Sequence, residues 1–214
     1  MSNDTIDITH ACKVIHRRTV LDDINLHLVR GRVYGFQGEN GSGKTMLLRA
    51  VAGLIHLSSG NITVFGKTIG KDCTFAPNMG CMLGSEMWDE YTGYENLQFL
   101  AAVKGVIGHD QICSALARVG LDPADDRPYQ KYSLGMRQRL DLAQAIMENP
   151  ELLMLDEPSN GLDVQGLDLL CNAIETEQAR GATILVVAHN SPEIINLCDA
   201  VITIHAGKIE GVTS

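Results

Sequence analysis

The chain has 214 residues, of which 45% are hydrophobic and 20% are charged, a composition typical of a globular protein with one sizeable core. Its formal net charge of −9 at pH 7 argues against free nucleic acid as a partner, because phosphate backbones are bound by a surplus of Lys and Arg. The sequence contains no internal repeat and no low-complexity segment.

The N-terminal segment predicts a small antiparallel sheet. Its polar opening, MSNDTID, lacks the basic and apolar regions of a signal peptide, and no later stretch approaches the ~18 apolar residues that a spanning helix needs. We therefore expect neither an export signal nor a membrane span. Apolar residues alternate in Ile24, Leu26 and Leu28, which fits an antiparallel sheet packed beside the core.

Strands that alternate with helices predict a mainly parallel sheet in the rest of the chain. Several of these strands are continuous apolar runs, as expected where both faces of a sheet are covered. A block over 88–147 has apolar residues at helical spacing and predicts an inserted helical subdomain within a single domain, 1–214. The predicted strands are 32–37, 79–83, 152–155, 183–188 and 201–205.

Six cysteines are scattered along the chain without CxxC or other metal-ligand spacing. Free cysteines of this kind are typical of a reducing compartment, where they behave as small apolar residues. We therefore predict reduced core thiols. The residues are Cys12, Cys73, Cys81, Cys113, Cys171 and Cys198.

The strongest local signal is the octapeptide GENGSGKT, which meets the phosphate-loop pattern G-x-x-x-x-G-K-[ST] between a predicted strand and a helix over 46–53. Its glycines let successive N–H groups face a phosphate, and the helix N-terminus adds its positive end. Lys44 is expected to hold the β- and γ-phosphates, and Thr45 to bind Mg²⁺. The nucleotide-binding residues are Gly38, Glu39, Asn40, Gly41, Ser42, Gly43, Lys44 and Thr45.

Two acidic residues follow the apolar strand over 152–155. Asp156 is predicted at the carboxyl edge of the sheet beside the phosphate loop, where it can hold the Mg²⁺ shell. Glu157 is placed to polarise the attacking water as general base. The plainer alternative is a pair of solvated acids before a proline turn, and the phosphate loop makes the catalytic reading the stronger one.

A phosphate loop alone leaves kinases, GTPases and many ATPases open. The run YSLGMRQRLDLAQAIMENPELLMLDEPSNGLD, however, resembles the signature, Walker B strand and D-loop of ABC (ATP-binding cassette) proteins in their usual order. The SLGMRQR sequence within this run is similar to that of export-type ATPases paired with ABC-2 permeases, including antibiotic and lantibiotic exporters. The resemblance implies an α/β P-loop NTPase cassette with a RecA-like core, a small antiparallel β-subdomain and an inserted helical subdomain.

The resemblance also implies a site shared between two subunits. Ser133 and Gly135, which precede a helix predicted over 136–147, match signature residues that contact ATP held by the opposite subunit, so a homodimer is expected. His189, at the end of a strand, matches the switch histidine that contacts the γ-phosphate and positions Glu157. Asp163 matches the D-loop aspartate. The alternatives without a ligand are a serine helix cap, a strand-end histidine and an aspartate helix cap.

Two positions depart from the family pattern. Where a base-stacking aromatic is usual, Ile15 offers apolar contact but no ring face, although His16 could stack if the register slips by one. We therefore expect weak base recognition, with GTP competing with ATP. The Q-loop glutamine is also missing, and we expect Ser85 or Glu86 to supply its polar contact.

The implied function is an ATP-binding and ATP-hydrolysing subunit that uses ATP and Mg²⁺ to power export through a separate membrane permease. It would lie in the cytoplasm, against the inner face of the membrane, with a second ATP-binding subunit and no nucleic acid as partner. Trp88, Tyr91 and Tyr94 are expected at the permease interface, although an aromatic cluster is more often core. The alternative is a non-transport or regulatory ABC ATPase.

Overall fold

The computed structural model describes residues 5–84, 86–188 and 191–213, and within these ranges the strands form two sheets. The smaller sheet is antiparallel throughout, in the order β2-β1-β4-β5, and comprises β1 (Thr5–Ile15), β2 (Arg18–Val29), β4 (Ser59–Val64) and β5 (Lys67–Thr68). His16 and Arg17 connect β1 to β2 with φ of 47° and 65°, as a two-residue hairpin of the I′ type requires. The predicted antiparallel sheet is confirmed and is larger than the sequence indicated.

The larger sheet is mostly parallel and forms the centre of the fold. Its strands are β3 (Val33–Gln37), β6 (Met79–Met82), β7 (Leu152–Asp156), β8 (Thr183–Val187), β9 (Ala200–His205) and β10 (Lys208–Thr213). In space they follow the order β10-β9-β3-β8-β7-β6, and only the edge strand β10 is antiparallel among the described strands of this sheet. β3 and β7 are thus separated only by β8, which brings their carboxyl ends to the same edge.

The helices of the described ranges lie on both sides of this sheet. They are α1 (Lys44–Ala52), α2 (Gly93–Lys104), α3 (His109–Arg118), α4 (Leu134–Ile146), α5 (Val164–Ala179) and α6 (Pro192–Ile195). None of them is both long and apolar enough to cross a bilayer, as far as the described residues show. Helix α2 begins at a capping box, in which Thr92 Oγ1 accepts from the Glu95 backbone N–H and the Glu95 carboxylate accepts from the Thr92 N–H.

Alternate residues of the central strands enter two different hydrophobic cores. Leu153 and Leu155 of β7 pack with α2 to α5, whereas Leu152 and Met154 pack with α1 and the smaller sheet. All four are fully buried. This explains why the central strands read as continuous apolar runs, because both of their faces are covered.

Some predicted boundaries were wrong, and the strands β4, β5 and β10 were not predicted. Helix α1 begins at Lys44 and α4 at Leu134, two residues before the predicted starts, because Gly43 and Ser133 occupy the N-cap positions. Strand β10 was not predicted, since its residues are mostly exposed and only one edge of it is paired. Hydrogen bonds to β9 hold β10 as a strand, and no apolar pattern in its sequence indicates one.

The six thiols are free and half-buried. Cys198 packs closely against Gly35, since a Cβ on that glycine would stand 2.9 Å from the Cys198 Sγ. Burial, aided by the charge of Asp199, raises the pKa of the Cys198 thiol to about 11. This thiol is therefore protonated at neutral pH and a weak nucleophile.

A buried carboxylate connects the helical block to α5. Glu177 is fully buried, and its Oε1 accepts from Arg118 Nη2 of α3 at 2.6 Å while its Oε2 pairs with Arg180. Both guanidinium groups remain partly accessible to water. The carboxylate is thus neutralised from two elements at once, which is the condition under which a buried acid is tolerated.

Replacing Glu177 by Ala is expected to lower the free energy of unfolding by about 2 kcal/mol, because two partly buried guanidinium groups lose their counter-charge. Urea unfolding followed by circular dichroism measures this change. The matched control is Glu175→Ala on the exposed face of the same helix, which should stay within about 0.5 kcal/mol of the wild type. Equal losses in the two variants would contradict the assigned role.

Candidate functional site

The phosphate loop runs from the end of β3 into α1 and is packed too tightly for side chains at two of its glycines. A Cβ on Gly38 would lie 2.0 Å from the Ile204 carbonyl oxygen, and one on Gly43 would lie 2.6 Å from the Val20 carbonyl oxygen. Their φ values are 143° and 111°, in the region that favours glycine. The loop can therefore approach its neighbours this closely only with glycine at these two positions.

Lys44 lies inside this loop. The residue is 5% exposed, and Nζ donates to the carbonyl oxygens of Gly38 at 2.7 Å and Glu39 at 2.8 Å. The loop is fastened from outside by the Gly207 N–H, which donates to the Ser42 carbonyl oxygen at 2.8 Å. The cation is thus held by neutral carbonyls, which a phosphate oxygen can replace with a stronger, charge-assisted partner.

Asp156 ends β7 beside the first turn of α1. Burial raises the pKa of its carboxyl and the Glu157 charge adds to that rise, while a hydrogen bond from Thr45 and the charges of Arg49 and Lys44 act in the opposite direction. Its Oδ1 is buried and has no hydrogen-bond partner among the described residues. A buried carboxylate oxygen next to a threonine hydroxyl is a pair of hard oxygen donors that fits a divalent cation.

Glu157 stands between two neighbouring cavities. One, of about 280 Å³, is lined by phosphate-loop residues including Asn40, Gly41, Lys44 and Thr45. The other, of about 380 Å³, is lined by Asp156, Gln138, Asn160 and Gly84 among others. Glu157 lines both cavities. The predicted general base and the predicted metal ligands are therefore brought together at one edge of the sheet.

The predicted signature and D-loop residues lie apart from this edge. Ser133 is the N-cap of α4, its Oγ accepts from the Met136 N–H at 3.2 Å, and it is exposed. Asp163 caps α5 in the same way, with its Oδ1 accepting from the Gly166 N–H at 2.8 Å. Among the described residues, neither these two nor Gly135 lines the cavities at the phosphate loop. Within one chain Ser133 and Asp163 act as helix caps.

The remaining predicted positions are only partly described. His189 and Ser85 lie outside the described residues, and Glu86 is exposed. Ile15 is half-buried at the end of β1, paired with Arg18 across the hairpin, and is not among the residues lining the phosphate-loop cavity.

Several residues at the site were missed by sequence reasoning. Arg18 and Val20 line the phosphate-loop cavity, because the β1–β2 hairpin folds against it. Gln138 and Asn160 line the second cavity and bond to Glu157. The signal available in the sequence was that both polar residues occur inside the SLGMRQR and PSNGLD runs, next to positions with assigned roles.

Comparisons with known proteins agree with this geometry. A family model described as ABC transporter matches residues 21–160. The uncharacterised ABC transporter ATP-binding protein YybJ of Bacillus subtilis (strain 168) is 39% identical, over 96% of this chain and 94% of that protein. The bacitracin transport ATP-binding protein BcrA of Enterococcus faecalis is 35% identical over 95% of this chain and 67% of BcrA. The lantibiotic transport ATP-binding protein SrtF of Streptococcus pyogenes is 33% identical over 95% and 88%.

Solved structures show the same fold. The dimeric structure of MJ0796, a bacterial ABC transporter cassette, superposes with a TM-score of 0.87 at 18% identity and covers 98% of both chains. A structure of the ATP-binding subunit of an ABC transporter superposes with a TM-score of 0.86 at 23% identity and covers 98% of this chain and 90% of that one. The predicted fold class is confirmed.

Replacing Asp156 by Asn is expected to raise the Tm of the nucleotide-free protein at neutral pH. Because burial raises the pKa of the Asp156 carboxyl, its contribution to stability is complete below its ordinary pKa of 3.8 and is lost as the pH rises through the raised value. The neutral amide avoids this loss, so the gain in Tm should shrink as the pH falls toward about 4.

Scanning calorimetry at neutral and acid pH measures this difference, with Asp168→Asn at an exposed position of α5 as the control. A Tm for Asp156→Asn that equals or falls below that of the wild type at neutral pH would contradict the prediction.

Proposed function

The chain belongs to the ABC transporter family, and on that premise we propose that it is the ATP-hydrolysing subunit that powers export through a separate membrane permease. The observation that carries the proposal is the meeting of Lys44, Asp156 and Glu157 around the cavities at the carboxyl edge of the central sheet. Export is supported by relatives that are bacitracin and lantibiotic transport ATP-binding proteins.

The phosphates of ATP are proposed to bind in the phosphate loop, which consists of Gly38, Glu39, Asn40, Gly41, Ser42, Gly43, Lys44 and Thr45. Their N–H groups and the N-terminus of α1 attract the phosphates of ATP. Lys44 exchanges its bonds to the Gly38 and Glu39 carbonyls for a β- or γ-phosphate oxygen. The cation is already inside the loop, so this exchange requires little movement.

Thr45 and Asp156 would hold Mg²⁺, since the unpartnered Oδ1 of Asp156 and the adjacent hydroxyl are the kind of oxygen donors that the ion prefers. When bound, Mg²⁺ neutralises charge that develops on the phosphate oxygens. Burial, together with the charge of Glu157, raises the pKa of Asp156, and a bound cation would counter both effects.

Glu157 acts as the general base. Its carboxylate accepts a proton from a water, whose oxygen attacks the γ-phosphorus while the bond to the leaving oxygen of ADP breaks. Its position between the two cavities provides room for that water. His189, which lies outside the described residues, is proposed from the family resemblance to contact the γ-phosphate beside it.

The second subunit is proposed to be another copy of this chain. Ser133 and Gly135 are accessible at the start of α4 and Asp163 is exposed at the start of α5, so both helix N-termini are available to a partner. An accessible N-terminus attracts a phosphate. In a head-to-tail homodimer, the signature of one copy would then complete the site that holds ATP on the other.

The whole chain, 1–214, is proposed to form a single nucleotide-binding domain whose helical subdomain, 88–147, faces the permease at the inner face of the membrane. Trp88 and Tyr91 are 47% and 40% exposed and both pack edge-on against Phe99, which is 40% exposed. Three rings exposed together are unusual on a protein without a partner. Tyr94 lies apart from them, bonded to His109 and packed against the helical core.

The experiment that tests this function uses Glu157→Gln, which keeps ATP binding and removes the base. We expect Mg²⁺-dependent phosphate release to fall at least about 100-fold, as the loss of a general base predicts. When the tagged variant is extracted from its native membranes in mild detergent with ATP and Mg²⁺, a multi-spanning permease should co-purify.

The control is Lys44→Ala, which loses phosphate binding and should neither hydrolyse ATP nor show ATP-dependent recovery of the permease. Recovery of soluble partners alone would instead favour a non-transport or regulatory ATPase, whereas full turnover by Glu157→Gln would refute the role of Glu157 as general base.

Weak recognition of the base is proposed from the absence of an aromatic ring at Ile15. The wild type should bind ATP and GTP with similar affinity, and Ile15→Tyr should tighten ATP binding about 2- to 13-fold, since a stacked ring contributes about 0.5–1.5 kcal/mol. Competition against a fluorescent ATP analogue measures both values. Val14→Tyr, at the exposed neighbouring position, is the control and should leave the affinity unchanged. A strong ATP preference in the wild type would refute the idea.

A further inference from the structure

The backbone of Glu157 adopts a conformation that residues with a side chain seldom take. Its φ is 48°, in the left-handed region, and it precedes Pro158. Such a conformation persists only where the surroundings hold it. Here the Glu157 N–H donates to the Val187 carbonyl oxygen at 3.0 Å, and Gln138 Nε2 of α4 lies 3.3 and 3.2 Å from the carbonyl oxygens of Glu157 and Pro158.

The side chain of Glu157 is held as well. Asn160 Nδ2 donates to Glu157 Oε2 at 2.7 Å, and the Asn160 backbone N–H donates to the Glu157 carbonyl oxygen at 3.2 Å. The first bond is charge-assisted and therefore among the stronger side-chain hydrogen bonds. It occupies one carboxylate oxygen and fixes the direction in which the other one points.

Asn160 owes its own position to the turn that follows it. Gly161 has φ of 74°, and a Cβ there would lie 2.5 Å from Leu134 Cδ2, so the turn rests directly on the first residue of α4. The Leu162 N–H closes the turn by donating to the Ser159 carbonyl oxygen at 3.2 Å. The Asn160 amide therefore belongs to a turn that packs against the start of α4.

We propose that Asn160 is a positioning residue for the general base: its amide holds the Glu157 carboxylate in the orientation from which the free oxygen receives the proton of the attacking water. This inference rests on the proposed function and adds to it a residue with a role of its own. In this role Asn160 acts through its hydrogen bond to Glu157 and needs no contact of its own with the phosphates or the reacting water.

The test compares Asn160→Asp with Asn160→Ala in the full chain. Aspartate has the shape of asparagine and its tolerance of turns, but replaces the N–H₂ donor by a charged acceptor facing Glu157. A role in the turn alone would leave Asn160→Asp close to the wild type. A positioning role predicts that kcat falls about 10-fold in Asn160→Ala and at least as far in Asn160→Asp.

Binding should be unaffected, because Glu157 is not needed to hold ATP. The KM and the Kd for a fluorescent ATP analogue are expected to stay within about twofold of the wild type in both variants, a kcat-against-KM split that a folding defect would not give. Asn172→Asp, at an exposed position of α5, controls for the added charge and should keep the wild-type kcat.

A second measurement does not depend on turnover. In ¹⁵N–¹H spectra of the nucleotide-free protein, the side-chain amide pair that disappears in Asn160→Asp should shift strongly in Glu157→Ala. An unshifted pair, or wild-type kcat in Asn160→Asp, overturns the positioning role while the ATPase function stands. Absence of Mg²⁺-dependent turnover in the wild type overturns the proposed function and this role with it.

Discussion

The tight packing of the phosphate loop against its neighbours is the constraint on which the rest of the site depends. Gly43 lies against the Val20 carbonyl of β2, and Gly38 lies against the Ile204 carbonyl of β9, so strands from both sheets close around the loop. A side chain at either glycine would meet backbone, which cannot move aside as a flexible side chain can. This closure fixes where α1 begins and keeps Lys44 inside the loop.

The arrangement of charges around that loop favours a ligand over the empty site. Asp156 is half-buried with its Oδ1 fully covered, and burial together with the neighbouring charge of Glu157 raises the pKa of its carboxyl. A protein selected for stability alone would not place two acids at one sheet edge. Binding of the proposed Mg²⁺ and of ATP would offset this cost, so these ligands would stabilise the fold around the site.

Hydrogen bonds also connect Glu157, the proposed general base, to two other parts of the chain. Gln138 carries one connection from α4 to the backbone of Glu157, and Asn160 carries another from the turn after β7 to its carboxylate. Away from Glu157, the Arg118–Glu177 pair joins α3 of the helical block to α5. Displacement of α4 or of the turn therefore changes the surroundings of Glu157 directly, through hydrogen bonds and not through a long path of packed residues.

The sequence by itself determined the features that are encoded by short covalent spacing. The phosphate loop, the acidic end of β7 and the serine cap of α4 each need only a few consecutive residues, and the continuous apolar runs indicated strands buried on both faces. Only the tertiary structure decided the strand order, the edge strand β10, and the arrival of Arg18, Val20 and Asn160 at the site. Arg18 and Val20 reach the loop across the interface between two sheets, and a polar residue in a turn gives no sign of which carboxylate it faces until the chain has packed.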